Sequence, residues 1–141
     1  MIRAAAVAAT LVAVGAQAAN PAQDYVLNCM GCHGAAAQGI PGKVPPLANA
    51  LSRFMRTPEG RNYVLRVPGA ANSSLSDEQL AAVLNWLAVT FDSSATANQL
   101  APFTGREVAA LRRQPLLSVL ATRGTVVHNL ATTGPSPPSQ Y

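Results

Sequence analysis

Two cysteines and a histidine are the residues of this chain with the most chemistry in them, and they stand together as Cys29-Met30-Gly31-Cys32-His33. The C-x-x-C-H spacing is the signature of covalent c-type haem attachment. On a helical turn, the three-residue offset aims both thiols along one edge of a porphyrin, where they add to its vinyl groups as thioethers. The adjacent histidine then reaches the iron. Other chemistries use such cysteines. In an exported chain a pair can form one structural disulfide. A thioredoxin-like redox dithiol belongs after a strand and within a βαβ pattern, and neither is legible around Cys29. Zinc needs further ligands, and the other histidine, His128, lies near the C-terminus.

The chain that must position this motif has 141 residues, of which 49% are apolar and 11% charged, with 10 glycines and 11 prolines. That suits one small domain with many connections and leaves no room for a large enzyme with a separate cofactor domain. The formal charge of +4 comes from nine arginines and one lysine spread thinly along the chain, which is sparser than nucleic-acid readers show, so no nucleic-acid partner is expected. Met1-Ile2-Arg3, the apolar run from Ala4 to Val14 and Ala16-Gln17-Ala18 together read as a cleaved secretory signal peptide over residues 1–18. The run is too short to span a bilayer, and no other stretch is long and apolar enough, so the mature chain is expected to have no membrane span.

Helix signals dominate the rest. Asn20 before Pro21 predicts a helix from Pro21 to about Met30. Gly39 to Pro46 predicts a loop along the haem edge. Leu47 to Met55 has helical spacing, and Thr57-Pro58 opens a further helix that Pro68-Gly69 should end. Ser76 to Gln79 is a capping box before Leu80, Val83, Leu84, Leu87 and Phe91. Trp86 within that helix suits either the core or a haem edge. Thr104 to Glu107 is a second capping box, interrupted at Pro115 and followed by helical spacing from Leu116 to Ala121.

At Cys29-Met30-Gly31-Cys32-His33-Gly34, and more weakly at the helix after Leu75 to Leu80, the chain resembles class I cytochrome c over roughly residues 21–91. The resemblance implies an all-α fold: a cytochrome c-like helical domain around one covalent haem c, here over residues 19–92. A linker and helical extension follow over 93–131, then a disordered tail over 132–141. It also implies a periplasmic monomer that carries single electrons from an exported dehydrogenase to a respiratory acceptor and is not itself an enzyme. In this family the distal methionine normally comes from the loop before the last helix, but Val67 to Ser76 contains none.

Met30 sits between the haem cysteines, so Met55 is the candidate distal ligand of the iron, opposite His33. His128, a neighbour such as Asn72, or no ligand at all are the alternatives. The last would leave an open or displaceable site for a small gaseous ligand. Lys43, Arg53, Arg56, Arg61 and Arg66 form a positive stretch. Its arginines, Arg61 and Arg66 above all, are candidates for contacts to the haem propionates, and the stretch is a candidate docking face for an acidic partner.

Overall fold

The first helix opens as its chemistry predicts. In the computed structural model, which describes residues 20–94, 99–132 and 134, the Asn20 side chain accepts a hydrogen bond from the Gln23 amide at 3.2 Å, and Pro21 begins α1 (Pro21–Asn28). The expected run to Met30 breaks at Cys29, whose φ of −128° departs from helical values, before α2 (Met30–His33) adds one turn. The proposed signal segment over residues 1–18 lies outside the described residues, as does the tail over 132–141 apart from Thr132 and Gly134.

The glycine- and proline-rich segment after His33 is a loop, pinned by an antiparallel bridge between Ile40 and Val44. Gly39 is required there. Its φ is +71°, and a side chain at this position would collide with the Val44 carbonyl. The helix expected over Leu47 to Met55 shrinks to α3 (Leu51–Phe54). Asn49 takes a φ of +55°, which no right-handed helix accommodates. In that conformation its amide donates to the Phe91 carbonyl at 2.9 Å, and its side chain accepts from the Ser93 amide and hydroxyl, both at 3.0 Å.

Thr57 accepts from the Gly60 amide at 3.1 Å and starts α4 (Pro58–Arg66). Pro68 ends that helix and also begins the single turn α5 (Pro68–Ala71). The capping box at Ser76 is complete, with Gln79 amide to Ser76 Oγ at 3.2 Å and Ser76 amide to Gln79 Oε1 at 3.0 Å, and α6 (Asp77–Thr90) follows. Leu80, Val83, Leu84 and Leu87 are buried along it. Helix α6 packs on α1, where Tyr25, Trp86 and Phe91 form an aromatic cluster with centroids 5.5–6.1 Å apart. Trp86 therefore serves packing between helices.

The extension adds α7 (Gly105–Leu111), which packs on α6, and α8 (Val119–Ala131), which packs on α4. Thr104 accepts from the Glu107 amide at 3.2 Å, one half of the box expected there, while the Glu107 carboxylate turns instead to Arg61. Helix α8 starts at Val119 rather than Leu116, because Ser118 supplies the cap to the Ala121 amide at 3.3 Å. It runs past Ala121 to Ala131 on a buried face of Arg123, Val126, Val127 and Leu130. The fold is all-α.

Candidate haem site

Cys29, Cys32 and His33 share the wall of one cavity of about 340 Å³. The break between α1 and α2 places them there: α1 is tied to α6 through the aromatic cluster, and the last turn carries Cys32 and His33 onward. Around them the lining is mostly aliphatic, from Leu47, Leu51, Val64, Leu80, Val83 and Leu84 among others.

Both thiols are free, so no disulfide joins them. Burial, and behind it the nearby Asp24 and Cys32, pushes the Cys29 thiol above its ordinary pKa. A redox-active dithiol needs the opposite shift. The His33 Nδ1 lies 3.1 Å from the Pro45 carbonyl oxygen, a pairing in which Nδ1–H donates and Nε2 is left as the bare nitrogen a metal requires. Burial lowers the His33 pKa, with the Pro45 bond acting weakly against it, and so favours the neutral imidazole. Two thiols, an oriented neutral imidazole and an aliphatic surround fit a covalently attached haem. Cys29 and Cys32 would hold the macrocycle, and His33 would hold the iron. When bound, such a haem supplies an iron that gains and loses one electron.

The other residues singled out by sequence are placed differently. Met55 is 5% exposed, in the core, and it is not among the residues lining the cavity. Leu51 and Phe54, one turn apart, face the cavity. Met55 lies about 100° further round the helix from Phe54 and falls on the flank that packs into protein. His128 and Asn72 are exposed and also stand outside the lining.

Arg61 and Arg66 are bonded to the extension. Arg61 donates to Glu107 and to the Ala101 and Pro102 carbonyls, at 2.5–3.1 Å, and stacks on Phe103 with 4.2 Å to the ring centroid. Arg66 donates to the Gln114 and Pro115 carbonyls at 2.6 and 3.0 Å and to Asn62 at 2.8 Å. Both arginines fasten the extension to the helical domain and neither lines the cavity. A long extension offers backbone carbonyls that no local sequence pattern reveals as partners.

Sequence reasoning missed Arg123, a buried cation in the lining. Its signal was present: Val119, Arg123, Val126, Val127 and Leu130 form one helical stripe in which a single charged residue sits among apolar ones. It also missed Arg112, which donates to the Ser73 and Leu75 carbonyls at 2.7 and 2.9 Å and to Asp77 at 3.0 Å. Arg112 thereby ties the methionine-free loop before α6 to α7.

Comparison with known proteins agrees with this geometry. The Cytochrome c family profile matches residues 18–90. Two proteins named cytochrome c-552, both of Thermus thermophilus, are each 35% identical over 125 residues. The match covers 74% of this chain and 95% and 84% of theirs. The agreement reaches beyond the C-x-x-C-H motif to more than half of the chain, and the chain therefore belongs to the cytochrome c family, whose members bind covalent haem c and transfer electrons.

Proposed function

We propose that this protein is a periplasmic shuttle for single electrons, exported by a signal peptide over residues 1–18. In this reading Cys29 and Cys32 are the haem attachment sites and His33 is the proximal iron ligand. The chain works as a monomer that takes electrons from an exported dehydrogenase and delivers them to a respiratory acceptor. The observation that carries the reading is the single cavity wall bearing both free thiols and a His33 whose Nδ1 is committed to Pro45. Among the described residues no helix is long and apolar enough to cross a membrane.

Docking rests on positive residues at or near the cavity. These are Lys43, which is exposed and lines the cavity, and Arg53 and Arg56, which lie on and just after α3, whose Leu51 and Phe54 line it. The test is to express the full chain in an exporting bacterium with haem-maturation machinery and mix the purified holoprotein with reduced dehydrogenases from its source organism. A carrier is reduced by one electron per haem, at a rate that falls as salt rises. Retention in the cytoplasm, or reduction by no exported dehydrogenase, defeats the reading.

One observation favours a second reading, binding of a small gaseous ligand at the iron. The cavity lining contains no methionine, and its histidine is His33, so an iron held by His33 would find no thioether or second imidazole among these residues. Carbon monoxide added to the ferrous protein separates the two. An immediate spectral shift means an open site, and an unchanged spectrum means a closed one.

A further inference from the structure

One stretch of the cavity wall has little of its own to hold it in place. Between α4 and α6 the chain gives Pro68, Gly69, Ala70 and Ser73 to the cavity lining, while Ala71 and Leu75 of the same stretch line a separate surface cleft. From Arg66 to Ser74 no residue is buried, and α5 is a single turn whose N-terminus has no side-chain cap. A segment with so few apolar contacts opens locally at a cost well below that of global unfolding, unless something outside it holds it shut.

Arg112, at the C-terminal end of α7, supplies that hold. Its guanidinium donates to the carbonyls of Ala71 at 3.3 Å, Ser73 at 2.7 Å and Leu75 at 2.9 Å, and to the Asp77 carboxylate at 3.0 Å. The Arg112 and Asp77 side chains are 11% and 23% exposed, so water competes weakly for these bonds. The pull comes from a fixed base, because α7 packs on α6 and is bonded to α4 through Arg61 and Glu107. Ser74 adds an exposed bond to Asn28 at 3.0 Å. Opening the stretch requires the four Arg112 bonds to break together, and bonds from a charged donor are the stronger kind.

We propose that Arg112 latches the segment between α4 and α6 shut and thereby sets how fast an external ligand enters the haem cavity. The proposal rests on the covalent-haem reading above. In it the C-terminal extension governs access to the iron without contributing a ligand to it.

The test is stopped-flow binding of imidazole to the ferric holoproteins with native sequence, Arg112→Ala, Arg112→Lys and Arg61→Ala. Covalent haem is measured first by the pyridine haemochrome, so that its absence counts against the underlying reading rather than against the latch. In the native protein the binding rate should level off as imidazole rises, because opening limits entry. Arg112→Ala should raise that limit about tenfold or more, since it removes several charge-assisted bonds that only the closed state makes. Arg61→Ala loosens the same extension elsewhere and should stay within about twofold of native. Amide exchange followed by mass spectrometry should quicken in Arg112→Ala over residues 68–76 and stay native in α6. A native entry rate in folded Arg112→Ala overturns the proposal, as does an equal acceleration in Arg61→Ala, which would mean general loosening. Should Arg112→Ala yield no holoprotein, Arg112→Lys decides. Its single ammonium cannot span the four acceptors, so entry should again be faster than native, and an unchanged rate overturns the latch.

Discussion

Arg61 grips Glu107 with both ends of its guanidinium, Nε to Oε1 at 2.7 Å and Nη2 to Oε2 at 2.5 Å. The pair joins α4 of the haem domain to α7 of the extension across 46 residues, with the two side chains 15% and 25% exposed. Beside it, Asn85 and Phe103 exchange hydrogen bonds of 2.7 and 2.9 Å between α6 and the segment leading into α7. The extension is thus bonded to the helices that bound the cavity at several points, and α8 follows from that anchorage.

Loss of the Arg61 pair should be felt in stability and not in the haem. A bidentate, largely shielded pair with two further carbonyl contacts is worth about 1.5–3 kcal/mol. Arg61→Ala is expected to destabilise the holoprotein by that order in denaturant titration, with an unchanged visible spectrum and midpoint potential. A lowered potential in this variant would return Arg61 to the propionates.

Covalent attachment is checked by extraction. Acid–acetone treatment should leave the colour with the polypeptide. The Cys29→Ala, Cys32→Ala double variant should accumulate little holoprotein, since a domain of this size depends on its haem for much of its core. Haem that extracts freely from the unsubstituted protein contradicts the assignment of the two thiols.

Met55 is expected to behave as a core residue. Met55→Leu conserves volume and should cost less than about 1.5 kcal/mol, and Met55→Ala should cost about 2–5 kcal/mol. In both, the visible spectrum and the midpoint potential should stay native. Loss of a ferric thioether charge-transfer band in Met55→Leu would show that the side chain reaches the iron after all.

Tyr25 gives a prediction with pH. Its hydroxyl donates to the Gly34 carbonyl at 2.6 Å, just after the turn that carries Cys32 and His33, and burial, followed by the neighbouring Cys29, raises the phenol's pKa. A folded-state pKa above the unfolded value near 10 means that this stability is fully present below about pH 10 and is lost as pH rises through the higher folded value. Tyr25→Phe should be less stable at neutral pH by about 1 kcal/mol and should lose part of the alkaline decline. Parallel pH–stability curves for the two proteins above pH 10 rule this out.

Charge at the cavity mouth is tested through Lys43. Lys43→Glu should slow association with an acidic redox partner at low salt and have little effect near physiological salt, where the Debye length is about 8 Å. Stopped-flow traces at two ionic strengths read it directly. Indifference to both salt and charge reversal would move docking to apolar surface such as the exposed Ile40.

The sequence alone determined what depends on neighbours a few residues apart. The C-x-x-C-H motif fixes which atoms would meet a porphyrin edge, because a short helical stretch spans it. Asn20, Thr57 and Ser76 fix three helix starts, because a cap satisfies amides two or three positions away. The all-α class followed from the family resemblance that the motif carries, with these helix signals and the apolar spacing of α6 beside it. Tertiary structure decided whatever depends on partners more than thirty residues distant. Asn49 stops a helix that its own neighbours would have permitted, because Phe91 and Ser93 reward a left-handed backbone there. Arg61 and Arg66 turn from the cavity to carbonyls of the extension, and Met55 goes to the flank of a shortened helix. Arg123, an ordinary surface residue by type, enters the cavity wall because α8 is laid against α4. Local pattern records the period of a helix, but which side chains of that helix meet a cofactor is set by how the helix is docked.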